Sequence, residues 1–326
     1  MGLQISDVKG ISTLALGIGN TQLTSLSSLS SSLGMQIYAK MEMGNPSGSV
    51  KDRSATNILL EAIRKGDINN ETTIIESSSG NMGIALARLC KLLCLDSYIV
   101  VDPHINQHAR KLLNAFGANI VEVNEKDENQ GYLGNRLKKV QDLLDKVPNS
   151  YWTNQYGNPN VHIAHEGIFH EVTSQLNAAP DYMLVATSTC GTIRGIADAI
   201  EKASATTKLI AVDAVGSILF ENKPNARNIP GMGASHPSTF LQKHQIDHYT
   251  LVSDLEAVKG CQLLREREGM LIGGSSGALV AALHKLKKQI PTNSSVVLLF
   301  PDSGERYLDT IYNEEWVQQT FKEVLV

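Results

Sequence analysis

Four turns, each with hydroxyl, glycine, asparagine or lysine residues between an apolar run and a helical pattern, hold the residues best suited to chemistry. In Asn45-Pro46-Ser47-Gly48-Ser49-Val50-Lys51-Asp52-Arg53, a lysine stands at a helix start. The positive end of the helix dipole disfavours an ammonium there, a setting that suits a Schiff-base lysine. An ordinary loop lysine meets the same local pattern. Glu76-Ser77-Ser78-Ser79-Gly80-Asn81-Met82-Gly83 places three hydroxyls ahead of a helix, which makes either an anion site or a serine-rich cap. Ala186-Thr187-Ser188-Thr189-Cys190-Gly191-Thr192 is a second such cradle. It is not a Walker loop, because no Gly-Lys-Ser/Thr follows. In Pro301-Asp302-Ser303-Gly304-Glu305-Arg306-Tyr307, a hydroxyl at a strand end can bond a ring nitrogen or simply close a type I turn.

Other motifs carry less. His162, His165, Glu166 and His170 imitate a zincin helix, but His165 and His170 are five apart and lie about 140° from each other around a helix. No metal is expected. Gly17-Ile18-Gly19 is followed by Gln22 where a dinucleotide fingerprint needs glycine. Met1-Gly2 with Ser6, and the sequons at Asn70 and Asn293, are short patterns that arise by chance. Cys90 and Cys94 are one helical turn apart, which predicts a shared packing face. With Cys190 and Cys261 they are too scattered for a disulfide framework, so reduced thiols in a cytoplasmic protein are expected.

The elements that must position the four turns alternate. Strands are predicted over 36–41, 72–76, 97–101, 119–123, 182–186, 208–213, 248–252 and 296–300. Helices are predicted over 52–65, 81–93, 106–116, 131–146, 161–176, 192–203, 254–268 and 276–289. Residues 21–32 are serine-rich with leucines at 23, 26 and 29, and predict one surface helix. This alternation implies an α/β fold with mostly parallel sheets, whose ligands bind beyond the carboxyl ends of the strands. At ~150 residues per domain, 326 residues suggest two domains. The 29 Lys and Arg against 33 Asp and Glu give a net charge of −4, which offers no basic excess for nucleic acid. No apolar run reaches the ~20 residues of a membrane span, and the first ten residues lack the apolar core of a secretory signal.

With these residues in view, the chain resembles the cysteine synthase family of fold type II pyridoxal-phosphate enzymes. Gly19-Asn20-Thr21-Gln22-Leu23 is similar to the family's GNTPL opening and residues 46–53 to its lysine motif. Residues 78–83 resemble its TSGNTG loop, 188–192 its GTGGT phosphate loop and 301–307 its PDSGERY segment. The motifs fall in family order across nearly the whole chain. Departures are Ser78 and Met82 for Thr, and Ser188-Thr189-Cys190 for Gly-Thr-Gly. Further segments are similar to the subfamily that joins O-phospho-L-serine to L-glutamate on the way to 2,3-diaminopropionate. They are Tyr151-Trp152-Thr153-Asn154-Gln155-Tyr156, Gly216-Ser217-Ile218-Leu219-Phe220, Val101-Asp102-Pro103, Gly131-Tyr132-Leu133 with Arg136, and Lys223-Pro224 running through Arg227 to Ser235.

The resemblance implies two three-layer αβα domains of the tryptophan synthase β type. Residues 45–150 would form the smaller domain, and 1–44 with 151–326 the larger. It implies pyridoxal 5′-phosphate held covalently by Lys51, which is also the catalytic base. Ser188, Thr189, Cys190, Gly191 and Thr192 would take the cofactor phosphate, Asn81 the ring hydroxyl and Ser303 the ring nitrogen. Ser78, Ser79, Gly80, Asn81 and Met82 would bind the substrate carboxylate, with Gln155 adding a contact. Tyr156 and Ser188 would face the β-substituent, while Arg136, Lys223 and Arg227 are candidate cations for a phosphate leaving group or for glutamate carboxylates. A homodimer acting on small amino acids is implied, with no nucleic-acid or membrane partner. The alternatives are a cysteine synthase using O-acetylserine or O-phosphoserine with sulfide, and a non-catalytic regulatory subunit on the same fold.

Overall fold

The computed structural model describes residues 17–127, 131–221 and 223–322. In chain order these form β1 (Leu23–Ser25), α1 (Ser27–Leu33), β2 (Gln36–Met41), α2 (Lys51–Lys65), β3 (Thr73–Ser77), α3 (Asn81–Leu92), β4 (Ser97–Val101), α4 (Gln107–Ala115), β5 (Asn119–Glu122), α5 (Leu133–Lys146) and β6 (Ser150–Trp152). There follow α6 (Asn160–Ile163), α7 (Glu166–Leu176), β7 (Tyr182–Ala186), α8 (Gly191–Lys202), β8 (Lys208–Ala214), β9 (His248–Val252), α9 (Asp254–Glu268), α10 (Gly274–Leu286), β10 (Ser295–Phe300) and α11 (Glu314–Phe321).

The chain divides into two compact units. The first takes in residues 17–19 and Asn45–Ala164. Its four strands run in the order β5-β4-β3-β6, all parallel. Successive strand residues face opposite sides, so Ile75 and Val100 meet Val140 of α5 on one face while Ile99 meets α3 on the other. Gly83 permits that second contact: a Cβ there would stand 2.8 Å from the Ser78 carbonyl and 3.0 Å from Ile99. The unit runs past residue 150, where the sequence placed its end, because β6 pairs with β3 from Thr73↔Ser150 to Ile75↔Trp152.

The second unit takes in Asn20–Gly44 and residues 165–322. Its six-stranded sheet has the order β1-β2-β10-β7-β8-β9, parallel except for β1 against β2. Helices α9 and α10 approach backbone to backbone over a core of Val258, Cys261, Leu279 and Leu283. Only glycine fits that crossing, since a Cβ on Gly260 would sit 2.0 Å from the Gly277 carbonyl.

Three local expectations are corrected. Residues 21–32 are not one surface helix: Leu23–Ser25 pairs with β2, α1 follows, and Leu26, Leu29 and Leu33 are buried. The helix predicted over 161–176 breaks at Ala164 and His165, so the zincin-like histidines are divided between α6 and α7. Cys94 lies beyond the end of α3 and is exposed, whereas Cys90 is buried and its thiol is pushed up to about 12 by desolvation. No helix among the described residues is long and apolar enough to cross a membrane.

Candidate active site

In the first unit, Lys51 is the first residue of α2 and is half-buried. The loop before it is tied down by Asp52, whose Oδ2 accepts from the Ser47 amide at 2.9 Å and the Ser47 hydroxyl at 2.6 Å. Burial raises the Asp52 pKa, and the Ser47 bonds act against that shift. Acidic residues favour the first turn of a helix, so Asp52 stabilises the start of α2 while fixing where Lys51 begins.

Between β3 and α3, Ser78 Oγ accepts from the Gly83 amide at 3.1 Å and the Gly80 amide at 3.4 Å. It therefore caps α3, and its hydroxyl proton is the part left to meet a ligand. Met82 is 2% exposed, so its side chain belongs to the core and only its amide, in the first turn of α3, can face an anion. A Cβ on Gly80 would meet nothing within 4 Å, so the turn is open at that point.

Ser79 turns toward a charged pair. Its hydroxyl donates to Asp102 Oδ2 at 2.8 Å and accepts from Arg136 Nη1 at 2.9 Å, and Arg136 Nη1 stands 3.1 Å from the same Asp102 oxygen. Of the three candidate cations, Arg136 is therefore the one bonded to the Ser78–Asn81 turn. Gln155 is held beside this turn by a buried carboxylate. Glu76 Oε2 accepts from the Gln155 amide at 3.0 Å and from Thr153 Oγ1 at 2.6 Å, while Gln155 Nε2 donates to the Ser77 carbonyl at 2.8 Å. Burial raises the Glu76 pKa against these bonds. Tyr156 is pushed up to about 12 by burial, with Arg136 opposing the shift and Glu76 and Asp102 adding to it. At neutral pH its hydroxyl is a donor beside a guanidinium.

In the second unit, the turn from β7 enters α8 through Cys190, which adopts the left-handed backbone conformation at φ 65°. That conformation favours glycine, so the side chain at 190 costs energy that its neighbours must offset. The first helical bond runs from Arg194 N to Cys190 O, and the amides of Gly191, Thr192 and Ile193 ahead of it have no partner within the helix. Ser188 Oγ donates to the Gly233 carbonyl at 3.1 Å, Ser238 Oγ to the Thr189 carbonyl at 2.7 Å, and Thr192 Oγ1 lies 3.5 Å from Nε2 of the buried His165. Ser303 forms a bridge with Ile272 and its Oγ accepts from the Glu305 amide at 3.4 Å. Lys223 is exposed, 3.3 Å from Glu221. Arg227 Nη2 donates to Ser235 Oγ at 2.7 Å.

Sequence reasoning assigned no role to Glu76 or to Gly273. Glu76 is the next-to-last residue of the buried strand β3, where a carboxylate has no reason to be unless several donors converge on it. Gly273 precedes α10 and lies so close to Asp302 that a Cβ would be 1.9 Å from Oδ1. The Gly-Gly pair opening α10 was the available signal.

A family model described as pyridoxal-phosphate dependent enzyme matches residues 14–302. The chain belongs to this family. Two N-(2-amino-2-carboxyethyl)-L-glutamate synthases are similar to it. One, from Ralstonia nicotianae, is 42% identical over 301 residues, covering 92% of this chain and 89% of that protein. The other, from Cupriavidus metallidurans, is 41% identical over 304 residues with the same coverage. Among solved structures, the O-acetylserine dependent cystathionine beta-synthase from Helicobacter pylori is 30% identical, with a TM-score of 0.84 over 93% of this chain and 99% of its own. A hydrogen sulfide-producing enzyme from Fusobacterium nucleatum is also 30% identical, with a TM-score of 0.84 over 91% of this chain and 99% of its own. The fold is that of fold type II pyridoxal-phosphate enzymes, and pyridoxal phosphate is the family's cofactor. The residues present fit it. The amides opening α8, which have no partner within the helix, and the Thr189 and Thr192 hydroxyls beside them are the donor set a phosphate needs, and a helix-start lysine and a strand-end hydroxyl are present.

Proposed function

We propose that this enzyme joins O-phospho-L-serine to L-glutamate, giving N-(2-amino-2-carboxyethyl)-L-glutamate and phosphate. The Cβ–O bond of phosphoserine breaks, a bond forms between Cβ and the glutamate nitrogen, and a proton passes from that amine to the departing phosphate. The names of the two relatives, at 41–42% identity over 92% of the chain, support the substrate pair. The structural observation that carries it is Arg136, a guanidinium bonded to Ser79 in the turn that would bind the substrate carboxylate.

When bound, pyridoxal phosphate supplies the electron sink that makes loss of the Cα proton and of the β-substituent feasible. Lys51 Nζ would hold the cofactor covalently and, when free, would be the base that takes the substrate's Cα proton and returns it to the product. The amides of Ser188, Thr189, Cys190, Gly191 and Thr192, with the hydroxyls of Thr189 and Thr192, would hold the cofactor phosphate. Asn81 would bond the ring hydroxyl. Ser303 would meet the ring nitrogen, and a neutral hydroxyl there would not keep the ring protonated, which favours β-replacement over transamination. The substrate carboxylate would be bound by the Ser78 hydroxyl and the backbone at Ser79, Gly80, Asn81 and Met82, with Gln155 held in place by Glu76, while the Ser79 hydroxyl stays on Asp102. Tyr156 would donate toward the leaving phosphate, while the Ser188 hydroxyl proton is held by the Gly233 carbonyl. Arg136 receives a glutamate carboxylate, and Lys223, exposed as it is, contributes at most a long-range attraction. The enzyme works in the cytoplasm as a homodimer, the first supported by free thiols at all four cysteines and the second by the family resemblance.

The test is mass spectrometry of products formed from phosphoserine with glutamate and sulfide competing at equal concentration. The expected product carries glutamate nitrogen on Cβ. Cysteine alone would establish the sulfide-using alternative, and no cofactor uptake with no product would establish a non-catalytic subunit.

A further inference from the structure

We infer that Arg227 is a positioning residue for the phosphate loop, not a cation for the second substrate. It fixes residues 231–235, and these in turn fix Thr187 and Ser188. That the 188–192 loop holds the cofactor phosphate is taken from the proposed function.

The contacts run in one direction through the second unit. Arg227 Nη2 donates to Ser235 Oγ at 2.7 Å. Its Nη1 lies against the backbone of Gly233, which has φ +74°: a Cβ there would be 2.1 Å from Nη1 and 3.0 Å from the Ala214 methyl. Only glycine admits the guanidinium at that distance. Gly233 then makes two bonds to the turn ahead of α8. Its amide donates to the Thr187 carbonyl at 2.7 Å, and its carbonyl accepts from Ser188 Oγ at 3.1 Å. Thr187 is anchored from the other side, its amide and hydroxyl both bonding the Val212 carbonyl of β8 at 2.9 and 3.2 Å. The departure of Ser188 from β7 is thus set by β8 on one side and by the Arg227-braced loop on the other.

Charge points the same way. Asp213, fully buried near the end of β8, and Asp254, at the start of α9, both act on Arg227. Burial lowers the guanidinium pKa, and the two carboxylates oppose that shift. Burial raises the pKa of both carboxylates, and Arg227 opposes each shift. The guanidinium charge is thus already engaged by two acidic groups of the protein, which leaves less of it for a substrate carboxylate. Arg136, by contrast, faces one carboxylate and bonds to the turn that would bind substrate.

The experiment compares Arg227→Ala, Arg227→Lys and Ser235→Ala with wild type by three readouts. They are amide exchange of peptides spanning 187–193 in the apoprotein, the dissociation constant and phosphorus-31 shift of pyridoxal phosphate on reconstitution, and the KM for glutamate at saturating cofactor. For Arg227→Ala the expected result is exchange at least tenfold faster, cofactor affinity at least tenfold weaker with a moved phosphorus signal, and a glutamate KM within twofold of wild type. Arg227→Lys should fall between, and Ser235→Ala should move the same readouts less. Unchanged exchange and affinity, or a tenfold rise in glutamate KM with cofactor affinity intact, overturns the inference. If Arg227→Ala does not fold, wild-type exchange and affinity in both milder variants overturn it equally. A wild-type protein that takes up no cofactor, while exchange still responds to Arg227, would defeat the cofactor-loop assignment and leave the positioning role standing.

Discussion

Replacing Arg136 by alanine should separate the two substrates. The guanidinium is 12% exposed and makes contacts of 2.9 Å to Ser79 Oγ and 3.1 Å to Asp102 Oδ2 through Nη1. A hydrogen bond to a charged group contributes about 1.5–3 kcal/mol, and 1.4 kcal/mol is tenfold in affinity. Losing one such bond to a glutamate carboxylate should therefore raise the KM for glutamate roughly 10- to 100-fold. The fold should survive. Asp102 keeps the Ser79 hydroxyl at 2.8 Å and the His104 amide at 3.0 Å, so the cost stays below the ~3–5 kcal/mol of breaking a fully buried pair. Arg136→Lys, which keeps the charge and loses the planar fork, should lie between wild type and alanine. The assay is steady-state product formation with glutamate varied, alongside the absorbance change on mixing the enzyme with phosphoserine alone. A glutamate KM within twofold of wild type refutes the assignment. A loss confined to the phosphoserine-only step would move Arg136 to the leaving phosphate.

Three further outcomes are expected. Borohydride reduction of the cofactor-loaded enzyme should fix the cofactor on a peptide containing Lys51, and Lys51→Ala should abolish the label and turnover together; a label on another lysine would refute the assignment. Ser303→Asp should retain cofactor but lower product formation at least tenfold, because a carboxylate at the ring nitrogen holds it protonated; wild-type turnover would remove Ser303 from that contact. Burial raises the folded-state pKa of Glu76 above its ordinary 4.5, so the folded protein binds this proton more tightly than the unfolded chain and stability falls as pH rises from 4.5 through the raised value. Glu76→Gln should flatten the fall in melting temperature over that window, and an identical slope in both proteins would show that Glu76 does not titrate there.

The segments legible in the sequence are those whose cause is local. Residues 36–41, 97–101, 182–186 and 248–252 are strands with the expected limits, and the last three are rich in apolar and β-branched residues and each follow an aspartate. The 254–268 helix is bounded by a capping box at Ser253 and Glu256 and by left-handed Gly269, both visible in the letters. The three residues of β1 and of β6 have no such signature. They are strands because β2 and β3 offer open edges, and the leucine spacing through 23, 26 and 29 imitates a helix over the same stretch. Nor does a proline or glycine mark the break between α6 and α7.

The candidate site divides by the same logic. A lysine at a helix start, hydroxyls ahead of α3 and α8, and the serine after β10 are local, and parallel α/β architecture directs attention to strand ends. What orients them is distant in sequence: Ser79 is 57 residues from Arg136, Glu76 is 79 from the Gln155 amide it anchors, and Ser188 is 45 from Gly233. Three arginines or lysines of equal promise in the sequence thereby become three different groups. Lys223 stands in solvent, Arg136 is bonded to the proposed substrate turn, and half-buried Arg227 packs on a glycine and feels two carboxylates. Charge and residue type nominate a cation for a substrate, but only the groups already facing it decide whether its charge is available.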